Sequence, residues 1–351
     1  IGLDKTEITG AHDITIKTDR VLDDSILDYD MVVLPGGYGG ADAMRNNKKL
    51  LSLLNKMDKA NKYIAAICAA PLVLDRAGLL EGREYTCYPS TTKNIKSGTR
   101  KDDKIVIDKN LITSQGPATA YAFAFKLAEI LGADAPSVKT RMVYFNAFDD
   151  EDRKLAPVEF PALSYEDKGI KAAILMVEGF EESETMQITD LLRRANITAH
   201  TFYFENEYVF SMQKMYIKGD KKFSEEIKDY DIIIVPGGRE AGAKLIANPD
   251  VMAVLKYFDE NNKLIAGMCS GTTVLQAAGV IKGKKVTGYT GYDKKLTDGI
   301  FCEDVAVFDK NVITSQGPAT PYPFAFKIME AMGVDPKPMK TRLLYELAGG
   351  K

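Results

Sequence analysis

Cys68 and Cys269 are the residues best placed by type and spacing to do chemistry. They stand 201 residues apart (269 − 68), each at the end of a short apolar run and just ahead of a helical pattern, in NKYIAAICAAPLVLDRAG (61–78) and NKLIAGMCSGTTVLQAAG (262–279). A thiol on such a strand-to-helix turn is exposed at the carboxyl edge of a sheet. It also has backbone N–H groups for a developing oxyanion and a helix N-terminus that favours thiolate. The small residues that follow, Ala69 and Ser270, allow the turn to be tight. A lone cysteine is as often a small core residue, but two in one register favour reactivity. Cys87 and Cys302 have no cysteine counterpart, Gly288 and Lys101 standing at those positions, and are read as structural.

A reactive thiol needs a base or a partner that sets its acidity. The chain has only two histidines, His12 and His200, and His200 falls in an expected strand. Glu178, Glu181, Glu182 and Glu184 follow the first strand of the second copy, in a loop that opens at the same sheet edge as Cys269. One of them is expected to share a proton with the thiol, the others to favour a first helical turn. Pro35-Gly36-Gly37 and Pro236-Gly237-Gly238 close another strand in each copy. The N–H of Gly37 or Gly238 is expected to face the sulfur and complete an anion pocket.

The elements that hold these groups repeat at the same offset. TSQGPAT occurs at 113–119 and 314–320, and Lys-Thr-Arg at 139–141 and 340–342. A period near 200 is a duplicated domain rather than a solenoid. Short apolar runs alternate with helical patterns at about 48–60, 183–195 and 250–261, with further helices reaching about Leu131 and Met332. This predicts an α/β sandwich with a mostly parallel sheet in each copy. Residues 1–145 form the first domain, 146–168 an acidic, proline-containing linker, and 169–346 the second domain; the final Gly-Gly-Lys reads as a frayed end. Ile1 matches Phe202, so the strand and helix expected at about 171–195 have no counterpart in the first copy.

Composition narrows the function classes. With 45% hydrophobic and 27% charged residues and no long apolar run, a globular protein with no membrane span is expected. A net charge of −3 with scattered Lys and Arg offers no face to nucleic acid. Four cysteines without CxxC spacing suggest reduced thiols in a cytoplasmic setting, and neither a metal nor a cofactor is expected.

The order EGFEESE, VPGG, AGMCSG, TSQGPAT resembles the ThiJ/PfpI superfamily, in the branch of Parkinson disease protein 7 (DJ-one), and the tandem form resembles its two-domain plant members. The resemblance implies two flavodoxin-like, class I glutamine amidotransferase-like domains. It also implies a nucleophile-elbow cysteine bonded to a protonated glutamate, which the motif places at Glu184. Members with glyoxalase activity carry a histidine near the cysteine; the matching positions are taken as Ser97 and Asp298. The branch forms dimers in which a loop residue approaches the other subunit's cysteine, here His12 and Gln213, so the copies are expected to pack as an internal pseudo-dimer with His12 near Cys269.

The function expected is glyoxalase- or deglycase-like action on dicarbonyls such as methylglyoxal through Cys269 and Glu184, with Cys68 as a second site. The alternative is a non-catalytic oxidative-stress sensor whose cysteine is oxidised to sulfinate. Protease and amidotransferase readings lack the histidine they need beside the elbow.

Overall fold

The computed structural model describes residues 1–151, 153–154 and 163–351. In the second domain seven strands form one sheet in the order Lys221–Lys222, Thr198–Tyr203, Lys171–Met176, Ile232–Val235, Leu264–Met268, Val312–Ser315, Ala306–Asp309, with only the last antiparallel. This is the flavodoxin-like order 2-1-3-4-5 with extra edge strands. The four central apolar runs lack alternation because both faces are covered, and Ile232–Val235 is wholly buried.

The first domain repeats the half of that sheet that carries the cysteine, in the order Met31–Leu34, Tyr63–Ile67, Leu111–Ser114, Ile105–Asp108. Its strand Met31–Leu34 pairs on one side only. Consequently Val33 is 48% exposed, whereas its counterpart Ile234, flanked on both sides, is fully buried. The pairing of Gly2 with Val21 matches that of Tyr203 with Lys222 in the second domain.

The copies share a second sheet and a core. The hairpin Glu7–Thr9/Thr15–Lys17 joins the hairpin Tyr208–Phe210/Tyr216–Lys218 through Ile16 and Ile217, making four antiparallel strands from both domains. One apolar cluster includes Tyr121, Phe125, Tyr144 and Phe148 of the first copy and Tyr322, Phe324 and Phe326 of the second. Tyr121 and its counterpart Tyr322 meet edge to face at 6.5 Å.

Two expected boundaries move. Residues 146–149 are not linker: Ala147 and Phe148 are buried in the shared core. Nor is the C-terminus frayed, because Phe148 pairs with Gly350 and Lys351 N–H donates to the Ala147 carbonyl at 3.0 Å. Of the remaining linker, residues 152 and 155–162 lie outside the described residues. Two helices directly after the glycine pairs, Tyr38–Asn46 and Arg239–Ile246, were not expected.

Candidate active site

Both cysteines end their strands in the left-handed region, at φ 64° for Cys68 and 52° for Cys269. A non-glycine residue there is strained, and the surrounding contacts must hold it. Cys269 N–H donates to the Ser315 carbonyl at 3.2 Å and Cys68 N–H to that of Ser114 at 3.0 Å. The backbone then turns into helices Gly271–Ala278 and Pro71–Arg76. At Gly271 the turn passes so close to the neighbouring strand that a Cβ would lie 2.0 Å from the Val235 carbonyl oxygen.

Of the four glutamates, Glu184 reaches Cys269. It stands in the first turn of helix Glu182–Arg194, fully buried, and accepts a hydrogen bond from Gly237 N–H at 2.6 Å through Oε2. Glu181 caps that helix, accepting from Glu184 N–H at 2.7 Å and the Ser183 hydroxyl at 2.7 Å. Glu182 accepts from Gln213 N–H at 3.3 Å, and Glu178 pairs with Lys244 at 3.2 Å. Gly237 N–H is therefore spent on the carboxyl, and the backbone donor acting on the Cys269 thiol is Ser270 N–H rather than the expected Gly238 N–H. At Gly237 a Cβ would lie 2.5 Å from Glu184 Oε2 and 2.7 Å from Cys269 Cβ, so only glycine lets the pair form. Gly238, at φ 111°, packs against Gly179 and Phe180.

Burial pushes the Glu184 carboxyl well above its usual range, and the neighbouring Glu181 pushes it further, so the fold favours its protonated form. Burial likewise pushes the Cys269 thiol up, and a charged Glu184 would add to this; Ser270 N–H acts the other way. Protonation of Glu184 would remove that repulsion, so each group acts on the titration of the other.

The Cys68 site is built differently. Burial raises its thiol, but Gly37 N–H and Ala69 N–H oppose this, and the charges that act on it are those of Arg194 and Arg342, both from the second domain. Gly36 gives the sulfur room as Gly237 does for Cys269: a Cβ there would lie 2.6 Å from Cys68 Cβ. A counterpart of Glu184 does not exist in this sequence.

The structure gives four expected residues, Ser97, Asp298, His12 and Gln213, partners other than the thiols. Ser97 donates its hydroxyl to Asp75 at 2.5 Å, and Asp298 N–H donates to Gln276 at 3.2 Å, both at the far end of the cysteine helices. Tyr88 and Tyr289 flank the thiols instead. Tyr88 N–H donates to the Cys68 carbonyl at 3.0 Å, and the Cys269 charge is the strongest acting on Tyr289. Each tyrosine hydroxyl crosses to the other domain, Tyr289 to the Arg141 carbonyl at 2.7 Å and Tyr88 to the Arg342 carbonyl at 2.9 Å. The repeat itself could have found them, since both stand at the 201-residue offset. His12 does cross between domains, but to Asp190 at 2.7 Å, while Arg193 donates to the His12 carbonyl at 2.7 Å; it is not among the groups that act on Cys269. Gln213 meets Glu182 of its own copy. His200 is structural, bonded to the Tyr230 hydroxyl at 2.6 Å.

Among the described residues, no cluster of three or more His, Cys, Asp or Glu side chains is arranged to hold a metal, and no helix is long and apolar enough to cross a membrane.

A model of the DJ-1/PfpI family matches residues 1–130 and 170–331. Protein DJ-1 homolog B of Arabidopsis thaliana is 32% identical over 333 residues, covering 92% of this chain and 75% of the relative. Deglycase PH1704 of Pyrococcus horikoshii is 35% identical over 127 residues, covering 35% of this chain and 76% of that protein. The crystal structure of Drosophila melanogaster DJ-1beta aligns with a TM-score of 0.48 at 30% identity, covering 50% of this chain and 97% of that one.

Proposed function

Because the chain belongs to the DJ-1/PfpI family, with two domains of the DJ-1 type, we propose that it is a cofactor-independent glyoxalase- or deglycase-like enzyme whose working site is Cys269 with Glu184. The observation that carries this reading is the fully buried Glu184 carboxyl, which that burial pushes toward its protonated form, beside a strained thiol. In the reaction the sulfur adds to the aldehyde carbon of methylglyoxal, and the Glu184 proton passes to the aldehyde oxygen, leaving a hemithioacetal and a carboxylate. The carboxylate removes the C1 hydrogen as a proton and returns it to C2 while the C1 hydroxyl proton passes to the C2 oxygen, giving a neutral lactoyl thioester and leaving Glu184 as carboxylate. Water cleaves the thioester, releasing lactate and a proton and restoring thiolate and carboxyl. A relative named as a deglycase supports the carbonyl chemistry.

In this reading the domains act as an internal pseudo-dimer, each lending its Lys-Thr-Arg segment to the other's tyrosine. A second reading is favoured at Cys68, where Gly37 N–H, Ala69 N–H and two guanidinium groups suit an anion. There the thiolate takes oxygen from two successive hydroperoxide molecules, each reduced to its alcohol or water, and rests as sulfinate.

The test is lactate formation from methylglyoxal by the parent, Cys68→Ser, Cys269→Ser and the double variant, with folding followed by circular dichroism. The enzyme reading expects turnover that survives Cys68→Ser and disappears with Cys269→Ser. No turnover by the parent above the double variant overturns it.

A further inference from the structure

A crevice of about 340 Å³ opens at the carboxyl edge of the second domain's sheet, and neither Cys269, Glu184 nor Gly237 lines it. It lies between the end of strand Lys171–Met176, the hairpin Tyr208–Phe210/Tyr216–Lys218 and Lys244 of helix Arg239–Ile246. The turn at Gly179 stands between it and the glycine pair beside the thiol: Gly179 N–H donates to the Phe210 carbonyl at 2.8 Å, and a Cβ on Gly238 would lie 2.3 Å from the Gly179 carbonyl oxygen. Open α/β sheets hold their ligands at this edge, in clefts of this size.

Four rings line the crevice, those of Phe204, Tyr208, Phe210 and Tyr216. The hairpin does not need them. Its counterpart in the first copy pairs in the same register, Glu7 with Lys17 and Thr9 with Thr15, and the four ring positions there are Leu3, Glu7, Thr9 and Thr15. Thr9 and Thr15 join through their hydroxyls at 2.9 Å, whereas Phe210 and Tyr216 bring ring centroids to 4.7 Å and leave Tyr216 45% exposed. The rings are also fixed, since Phe204 stacks on Phe223 at 4.7 Å and the Tyr208 hydroxyl donates to the Glu7 carboxylate of the first domain.

The charges around the crevice leave one carboxylate over. Lys244 donates to Glu178 at 3.2 Å and Lys218 pairs with Glu207 at 3.8 Å, but Glu205, exposed on the rim, has no ion-pair or hydrogen-bond partner among the described residues. The Tyr208 ring already draws two ammonium groups, Lys218 at 5.6 Å and Lys17 at 6.0 Å from its centroid. Aromatic faces and a free carboxylate both attract a cation and disfavour an anion. We propose that this crevice binds a small organic cation, a quaternary or protonated amine, seated against the four rings with Glu205 as its counter-charge.

Choline and benzyltrimethylammonium are the probes, titrated into the full chain by calorimetry, with 3,3-dimethyl-1-butanol as the neutral isostere of choline. Both cations are expected to bind one to one, and the isostere about tenfold more weakly than choline. Tyr216→Thr, the exchange that the first copy carries at this position, is expected to weaken choline about five- to tenfold. Glu205→Gln should weaken it about threefold at low salt, a difference that disappears at about 1 M salt. Met212→Thr, on the same hairpin outside the crevice, and Cys269→Ser leave the affinity as in the parent, and melting temperatures check that each variant folds. No saturable binding of either cation, equal binding of choline and its isostere, or parent affinity in both Tyr216→Thr and Glu205→Gln overturns the proposal. Binding lost with Cys269→Ser would put the cation at the thiol and overturns it as well.

Discussion

Cys68 and Cys269 occupy the same turn in the same backbone conformation, yet their electrostatic surroundings are opposite in sign. Cys269 faces a buried carboxyl and the glutamate behind it, whereas Cys68 faces two backbone donors and the guanidinium charges of Arg194 and Arg342. The glycine after each proline clears space in both copies, but only Gly237 donates its N–H to a carboxyl. The backbone turn therefore makes a thiol available, and what it can do depends on the charge placed beside it by other elements.

The largest test of this contrast is removal of each nucleophile. Cys269→Ser is expected to lower lactate formation by a factor on the order of a thousand or more, and Cys68→Ser to leave most of it. Comparable losses at both would erase the difference between the sites.

Next in size is Glu184→Gln, which keeps an acceptor for Gly237 N–H but cannot take or return a proton. Turnover should fall roughly 10²- to 10⁴-fold. Its stability profile supplies a second check. A carboxyl raised in the folded state contributes stability that is whole below its ordinary value of 4.5 and is lost as pH rises from there through the folded value. Melting temperatures followed from pH 4 upward should thus decline more steeply in the parent than in the Gln variant; parallel profiles would mean that Glu184 is ionised in the fold.

Gly237→Ala drives a Cβ into both partners of the pair and is expected to cost about 1–3 kcal/mol in urea unfolding, together with turnover. Gly36→Ala meets only Cys68 and the Ile67 carbonyl, so a similar cost should leave turnover at Cys269 intact.

A smaller effect belongs to Arg194→Gln. Removing a charge that favours the Cys68 thiolate should slow its oxidation by hydrogen peroxide roughly two- to threefold, read by mass, without slowing Cys269. Smallest of all, Val33→Thr on the exposed edge should move stability by no more than about 0.5 kcal/mol. Ile234→Thr, at the same register in the second sheet, places an unpaired hydroxyl in a dry core and should cost several times that.

Much of this molecule can be read from its residue order. The 201-residue offset carries the duplication, the apolar runs closed by Pro-Gly-Gly and by cysteine carry the parallel strands, and the first-turn glutamates carry the candidate acid. These are local patterns, with spacing set by the geometry of strand and helix. The two helices after the glycine pairs escaped because Tyr38–Asn46 and Arg239–Ile246 are short and rich in glycine and alanine, with few large apolar residues. Ser97 and Asp298 were misplaced because counting back from TSQGP crosses loops and two-residue strands, whose path no periodicity records.

Only the tertiary structure decided the rest. The residue types left four glutamates open and only the family motif pointed to Glu184; the structure supplies the physical reason, the full burial that raises its carboxyl. It brought Tyr289 to the Arg141 carbonyl and turned His12 toward Asp190, since contacts between domains depend on how two folded surfaces meet. The chain order specifies which turns can hold a reactive thiol, while packing within the second domain sets the charge that Cys269 faces and the docking of the two copies sets the charge that Cys68 faces.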